Sequence, residues 1–188
     1  MGYLTLIAGI AIFVASHIFT TLRGPRQALI DRIGPLPYKA LYSIVALIGF
    51  VLIVRGWRLA PADVLYVPPF WLTHVTAFLM WPAFVFLVAA YVPAGKIKGA
   101  VKHPMILAVK VWAFAHLLAN GEVASLILFV SFLAWAVYDR ISLKRRGDDG
   151  PGMGPARNDF IAAAVGTVAY AVFAVWLHPI LIGVAAVG

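Results

Sequence analysis

The chain has 188 residues, of which 63% are hydrophobic and 12% charged, and its mean hydropathy is +0.96. Soluble domains contain roughly 45–50% apolar residues, and the excess here lies in long blocks, so the composition excludes an ordinary soluble domain and indicates an integral membrane protein. Cysteine is absent, which excludes disulfides and thiolate ligands, and the formal charge of +8 is attributed to membrane topology, since no aromatic-interleaved basic patch supports binding to nucleic acid.

The apolar blocks predict an all-α, polytopic membrane helical bundle, with residues 1–188 forming a single transmembrane domain. A helix needs about 20 apolar residues to span a bilayer. The six candidate spans are residues 3–22, 38–55, 71–92, 104–119, 122–142 and 160–183. The fourth is short and is followed by Asn120-Gly121-Glu122, a turn in which Gly121 is expected to take a positive φ, so helices four and five are predicted to form a hairpin. Residues 144–158, rich in glycine, proline and charge, are predicted to be a flexible loop.

Basic residues between the spans predict the orientation. Loops 23–37 and 93–103 and the end of helix five are basic, whereas the alternate loops carry little net charge. The basic residues are Arg23, Arg26, Arg32, Lys96, Lys98, Lys102, Arg140, Lys144, Arg145 and Arg146. The positive-inside rule places these segments in the cytoplasm, so with six spans both termini lie outside.

Two histidines lie well inside apolar blocks, where ionisable groups are costly and are therefore candidates for function. His17 is in the first block, and His116 lies about three and a half turns into the fourth. A neutral imidazole can give a ring nitrogen to a metal, or it can donate a hydrogen bond to a backbone carbonyl of another helix. The residues alone leave both roles open.

The stretch KHPMILAVKVWAFAHLLANG, residues 102–121, carries further polar groups on two faces. At 100° per residue, His103 and Lys110 lie about 20° apart around the helix axis, so they are predicted to share a face and to contact an anion: a propionate, a lipid headgroup or a carboxylate at a helix end. A lysine that snorkels to the membrane surface is the alternative.

His116 lies about 140° from His103 around the same axis, so the two imidazoles cannot readily bind one ion together. Its face is shared by the residues at i−4, i−3 and i+4. These are Trp112, Ala113 and Asn120. The small side chain at the i−3 position is expected to leave room beside the imidazole for a flat group.

Three segments resemble the NnrU family of bacterial membrane proteins: SHIFTTLRG, KHPMILAVKVWAFAHLLANGE and FLAWAVYDRISLKRRG. The resemblance covers nearly the whole chain in order and includes basic-His-Pro, Trp-x-x-x-His and Asn-Gly patterns. The plant and cyanobacterial 15-cis-zeta-carotene isomerases share this domain.

The resemblance implies a multi-pass protein of the bacterial inner membrane. NnrU proteins are associated with denitrification, where nitrite and nitric-oxide reduction depend on them, and the carotenoid members bind haem b through histidines and isomerise a cis double bond. Carried over by motif, the resemblance implies that His17 and His116 bind the haem iron, with His103 at the His-Pro position. It leaves open a haem-dependent isomerase or a redox protein, acting beside membrane lipid on a lipophilic or small gaseous substrate.

Several alternatives stay open. Ala113 stands where the isomerases have a cysteine, so ligand exchange between cysteine and histidine is impossible and isomerisation by that route is not expected. His17 and His116 differ by roughly 10 Å in depth if both helices stand upright, so His17 with His103 is an alternative ligand pair. The protein could also be a cofactor-free accessory or assembly factor for denitrification enzymes. A methyltransferase similar to the isoprenylcysteine type is less favoured, since the tail after helix five lacks paired glutamates.

Overall fold

The computed structural model describes residues 1–186, which are almost entirely helical. The helices are α1 (Gly2–Thr21), α2 (Arg23–Ile33), α3 (Pro35–Leu59), α4 (Trp71–Tyr91), α5 (Lys96–Val101), α6 (Pro104–Ala119), α7 (Val123–Arg145), α8 (Ala156–Val172) and α9 (His178–Ile182). A π-helical segment, Phe173–Leu177, joins the last two. Among the described residues, extended backbone pairs only at an isolated antiparallel bridge between Val64 and Glu122. The predicted all-α class is confirmed.

Five helices in the described chain are long and apolar enough to span a membrane: Gly2–Thr21, Pro35–Leu59, Trp71–Tyr91, Val123–Arg145 and Ala156–Ile182. The predicted fourth span is α6, and its bounds agree with residues 104–119. Its 16 residues rise roughly 24 Å, less than the hydrocarbon core of about 30 Å. The protein is therefore a polytopic helical bundle with five full-length candidate spans and one shorter apolar helix.

Two segments predicted as loops contain helices. The first, residues 23–37, holds α2, in which the Gln27 amide donates a hydrogen bond to the Asp31 carboxylate one turn later (2.8 Å). Gly34 ends this helix with a φ of 86°, and Pro35 occupies the first turn of α3, where its missing N–H costs nothing. The second, residues 93–103, holds the short helix α5.

The chain divides into two compact units. Unit one comprises Met1–Leu65 with Glu122–Ser131, and unit two comprises Tyr66–Gly121 with the chain from Phe132 onward. The division falls within α7, so the first turns of that helix belong to unit one and the remainder to unit two.

Unit one is built on α1 packed against α3, and glycines line the contact. A Cβ at Gly9 would collide with the backbone of Ile53, and a Cβ at Gly56 would collide with the backbone of Leu6. Leu6 has no exposed surface and Ile53 is also buried. Small residues let membrane helices approach closely, and dispersion contacts between the backbones then stabilise the pair.

Unit two packs α4 against α6 and α8. Polar side chains bond to backbone carbonyls across these contacts. The Thr76 hydroxyl donates to the Ala115 carbonyl (2.7 Å), and the Tyr170 hydroxyl donates to the Ala77 carbonyl (3.0 Å). Because no water competes in the membrane interior, such bonds help to position α6.

Residues 148–155 have no regular structure, in agreement with the predicted loop, and α8 begins at Ala156. This loop and the first turn of α8 bond to α5 and the residues that flank it; we call this set of contacts the α5 clasp. The Asp159 carboxylate accepts hydrogen bonds from the backbone N–H groups of Lys96 (2.8 Å) and Ile97 (2.9 Å), which are unsatisfied at the start of a helix. The Asn158 amide donates to the Ala94 carbonyl (2.7 Å). The prediction of a free loop over residues 144–158 omitted these bonds.

The other end of the α5 clasp holds the residues just before α6. The Lys102 ammonium bonds to the Asp149 carboxylate, and His103 Nε2 lies 3.0 Å from the Asp148 carbonyl oxygen. Lys102 has a φ of 64°, which is uncommon for a residue with a side chain. A Cβ at Gly150 would collide with the Lys102 backbone, so the glycine permits this close approach.

The turn between α6 and α7 requires a glycine, but the predicted reason was wrong. Gly121 does not take a positive φ. A Cβ at this position would instead collide with the Tyr66 carbonyl oxygen, and the Tyr66 hydroxyl donates to the Leu117 carbonyl (2.8 Å). Beyond the turn, the rings of Trp112 on α6 and Phe132 on α7 meet edge to face at 5.5 Å, as expected for neighbouring helices of a hairpin.

Candidate functional site

His116 lies near the C-terminal end of α6, in unit two. Its Nδ1 is 2.9 Å from the Trp112 carbonyl oxygen. A carbonyl oxygen can only accept, so Nδ1 carries the proton and Nε2 is the basic nitrogen of the neutral ring. The ring centroids of Trp112 and His116 are 5.6 Å apart, and the Asn120 amide donates to the His116 carbonyl (2.8 Å). The structure thus brings Trp112, His116 and Asn120 together as the helical spacing indicated.

Ala113, the fourth member of this face, has no exposed surface. A fully buried methyl group has no probe-sized space against it, so the neighbouring atoms fill the room that the small side chain was expected to leave. A flat group beside His116 would therefore have to displace side chains or enter from another side of the ring.

His17 lies in α1, in unit one, and its bonding is the same as that of His116. Its Nδ1 is 2.7 Å from the Phe13 carbonyl oxygen, which again makes Nε2 the basic nitrogen. The Phe13 ring stacks on the imidazole with centroids 4.2 Å apart, and the Tyr42 ring contacts it edge-on at 5.5 Å. Two aromatic rings therefore hold the imidazole in one orientation.

His103 uses the opposite nitrogen. Its Nε2–H donates to the Asp148 carbonyl, and the same nitrogen lies 3.7 Å from the Asp148 carboxylate. The basic nitrogen of the neutral ring is therefore Nδ1, and the α5 clasp fixes the ring beside the start of α6. His103 and His116 thus differ both in position and in tautomer.

His103 precedes α6 with a non-helical backbone (φ −127°, ψ 72°), so the helical angle predicted between it and Lys110 does not apply, but both residues line one pocket of about 200 Å³ in unit two. The pocket walls are Val101, His103, Ile106, Leu107, Lys110 and Arg140. Arg140, on α7, was named in the sequence only as one of the basic residues near a membrane surface. A signal for it was present: His103 and Arg140 lie 18 and 19 residues from Gly121, so a hairpin centred on that glycine brings them to the same level.

The remaining histidines have simpler surroundings. His74 meets the Phe70 ring edge-on at 5.2 Å. The Nδ1 atom of His178 lies 2.8 Å from the Val184 carbonyl oxygen, and His178 is close enough to His116 for their charges to interact.

Over residues 1–186, no group of three or more histidine, aspartate or glutamate side chains is arranged to hold a metal ion.

The family model described as NnrU protein matches residues 5–186, nearly the whole chain. The chain belongs to the NnrU family. No curated protein and no solved structure matches this NnrU protein. The family resemblance noted in the sequence is therefore confirmed over nearly its full length, and it links this membrane protein to nitrite and nitric-oxide reduction or a related function.

Proposed function

We propose that this NnrU protein binds haem b through His116, with His17 as the second ligand, and acts as a redox-linked component of nitrite and nitric-oxide reduction. Haem iron held by these imidazoles would supply one-electron chemistry, at a potential that its protein ligands and its burial would set. The choice of His17 and of haem comes from the family resemblance, and the local geometry of each ring supports it.

The tautomers of the two rings are the observation that carries the proposal. A histidine that binds a metal usually donates its other ring N–H to a carbonyl or carboxylate, which orients the ring and makes the ligand nitrogen more basic. His116 and His17 both donate from Nδ1 to the carbonyl four residues earlier. His103 donates from Nε2 to Asp148 and meets the same rule with its other nitrogen, so the choice of His116 over His103 comes from the family resemblance.

The two imidazoles suit haem iron as ligands, but the packing beside His116 leaves little space for a porphyrin. Two neutral imidazoles are suitable axial ligands, and iron in a porphyrin needs no cluster of three protein ligands. Against this, the complete burial of Ala113 leaves no room on that side of His116. Two hydrogen bonds nevertheless position His116. Its Nδ1–H donates to the Trp112 carbonyl, and the Asn120 side-chain amide donates to the His116 carbonyl.

Absorption spectra of the detergent-purified protein, oxidised and dithionite-reduced, test the proposal after expression with ample haem supply. The wild type is expected to show a Soret band that shifts on reduction. His116→Ala and His17→Ala are each expected to lose most of it, because each removes an axial ligand.

His178→Ala is the matched control. His178 also donates from Nδ1 to a backbone carbonyl, so its replacement removes the same kind of bond without removing a proposed ligand. The control is expected to keep the Soret band. A wild type without the band, or equal loss in His178→Ala and His116→Ala, contradicts the assignment.

A cofactor-free accessory factor for denitrification enzymes is the second candidate. The complete burial of Ala113 favours it, since the surroundings of His116 on that side are already filled by protein. On this account both imidazoles are packing groups that satisfy backbone carbonyls. Protein that stays colourless with haem in excess, yet restores nitric-oxide reduction when returned to a deletion strain, would establish it.

We also propose that the protein lies in the bacterial inner membrane with the basic segments in the cytoplasm and the termini outside. The absence of cysteine makes this testable with single-cysteine variants. Val67→Cys, at an exposed position after α3, is expected to react with an impermeant maleimide on intact spheroplasts. Gly152→Cys, where added atoms meet open space, is expected to react only after lysis; the reverse pattern contradicts the orientation.

A further inference from the structure

We propose that the pocket between α6 and α7 in unit two binds the phosphate headgroup of an anionic phospholipid, with Lys110 and Arg140 as the cations that recognise it. This site goes beyond the proposed haem function and does not depend on it. The argument uses the charge of the pocket, its apolar wall and its size.

The lining of the pocket carries positive charge and no acidic side chain. Lys110 and Arg140 line it from two helices and are close enough for their charges to interact. In the part of the chain that the structure describes, neither forms an ion pair, whereas Lys102 pairs with Asp149 and His103 lies 3.7 Å from the Asp148 carboxylate. Asp139 is near enough to interact with Lys110, and Asp149 with Arg140, but neither acid lines the pocket. The two cations repel each other, and an anion bound in the pocket would reduce that repulsion.

The two acids of the α5 clasp nearest in sequence to each other, Asp148 and Asp149, are already bonded to other groups. Asp149 accepts from Lys102, and Asp148 uses its carbonyl to hold His103 and one carboxylate oxygen to accept from the Gly150 N–H (3.0 Å). The α5 clasp therefore builds one wall of the pocket and leaves the two cations facing the pocket.

The remaining walls are apolar. They are formed by Val101, Ile106 and Leu107. A free phosphate gains nothing from such walls, whereas the glycerol and upper acyl carbons of a lipid do. A lipid also places its phosphate at the depth of a helix end, where basic pockets between membrane helices bind anionic headgroups.

The volume of the pocket limits the ligand group that it can hold to a small one. Pockets for whole drug-sized ligands occupy roughly 300–1,000 Å³, and this one measures about 200 Å³. It is therefore too small for a porphyrin and suited to a headgroup whose acyl chains extend into the bilayer. The anion partner predicted for His103 and Lys110 is thus assigned to a lipid phosphate rather than to a haem propionate.

Thermal unfolding of delipidated protein in a neutral detergent, titrated with phosphatidylglycerol, tests the site. The wild type is expected to gain several degrees in Tm with phosphatidylglycerol and to gain less with phosphatidylcholine. Lys110→Gln with Arg140→Gln is expected to weaken the apparent affinity on the order of tenfold or more, because each basic residue near a membrane surface contributes to attraction of anionic lipid. Without lipid, this variant is expected to melt no lower than the wild type, since the removed cations repel each other.

Two further variants make the result interpretable. Lys144→Gln with Arg145→Gln removes the same charge from the last turn of α7 and is expected to keep the wild-type response. Lys110→Arg with Arg140→Lys keeps the charges and is expected to retain binding, which separates recognition from misfolding. The proposal is overturned if phosphatidylglycerol raises the Tm of the Lys110→Gln, Arg140→Gln variant as much as that of the wild type. It is also overturned if the Lys144→Gln, Arg145→Gln control loses as much of the response as that variant. A full response to inorganic phosphate alone overturns the lipid as its source.

Discussion

Unit one and the α5 clasp of unit two both hold backbone segments close together, but by opposite chemistry. In unit one, glycines at the α1–α3 contact leave space that the backbone and side chains of the facing helix fill. In the α5 clasp, carboxylate, amide and ammonium groups bond across the contact, and several are exposed. The α1–α3 contact depends on the small volume of its glycines, whereas the α5 clasp depends on charges and hydrogen bonds. Larger side chains are therefore expected to disrupt the first, and loss of charges or hydrogen-bonding groups the second.

The largest effect is expected at Gly56. Gly56→Ala places a methyl group against the backbone of Leu6, and because neither backbone can rotate away, α1 and α3 must separate. Overpacking of this kind costs about 1–3 kcal/mol, and more where backbone is the obstacle. Thermal unfolding in detergent, followed by tryptophan fluorescence, is expected to show a lower Tm that changes little with pH or salt.

Gly24→Ala provides the control, because a Cβ at Gly24 in α2 meets open space. Alanine is the better helix former, so this variant is expected to melt no lower than the wild type. Equal losses in the two variants would mean that the α1–α3 contact is not close-packed as described.

A smaller effect is expected at Asp159. Asp159→Ala removes the acceptor for the N–H groups of Lys96 and Ile97, and loss of a helix cap costs about 0.5–2 kcal/mol. Hydrogen exchange followed by mass spectrometry is expected to show faster exchange at these two amides while α1 and α3 keep their protection. Asp159→Asn retains one acceptor oxygen, so its exchange rates at these amides should lie between those of the wild type and the alanine variant. Unchanged exchange in the alanine variant would contradict the proposed helix cap.

The smallest effect is expected at Asp149, where the hydrogen bond and charge of Lys102 lower the pKa of the carboxyl below its usual value of 3.8. A lowered pKa in the folded state means that the stabilisation is present above the unfolded value near 3.8 and is lost as the pH falls through the folded value. Because both groups are exposed, salt should weaken the pair.

Hydrogen exchange over residues 148–150 is therefore expected to accelerate on acidification below about pH 4, relative to the intrinsic rate. Asp149→Asn should remove this pH dependence. If the pH profiles of wild type and variant coincide, the Lys102–Asp149 pair does not order the loop.

Local patterns were read correctly from the sequence. Residues 104–119 form α6 because Pro104 suits a first turn and the apolar run ends at Asn120. The shared face of Trp112, His116 and Asn120 follows from helical spacing, and the Nδ1 bond of His116 is also local, since its acceptor lies four residues earlier. The α2 helix was missed because its polar composition resembles a loop.

Contacts between distant parts of the chain could not be read in this way. Asp159 caps a helix 63 residues away, and Asp149 meets Lys102 across 47 residues; nothing in their own neighbourhoods indicates a partner. Gly121 shows the same limit, because the need for glycine was visible but its cause, the Tyr66 carbonyl, lies far away in sequence. The packing around Ala113 also depends on other helices, so a small residue did not mean an empty space.

Haem content per chain, measured as the pyridine haemochrome of protein purified after expression with ample haem, tests the central proposal most directly. The account predicts one haem b per chain in the wild type and in His178→Ala, and little in His116→Ala. Wild-type protein that is folded, judged by a cooperative thermal transition, and that contains no haem would contradict it.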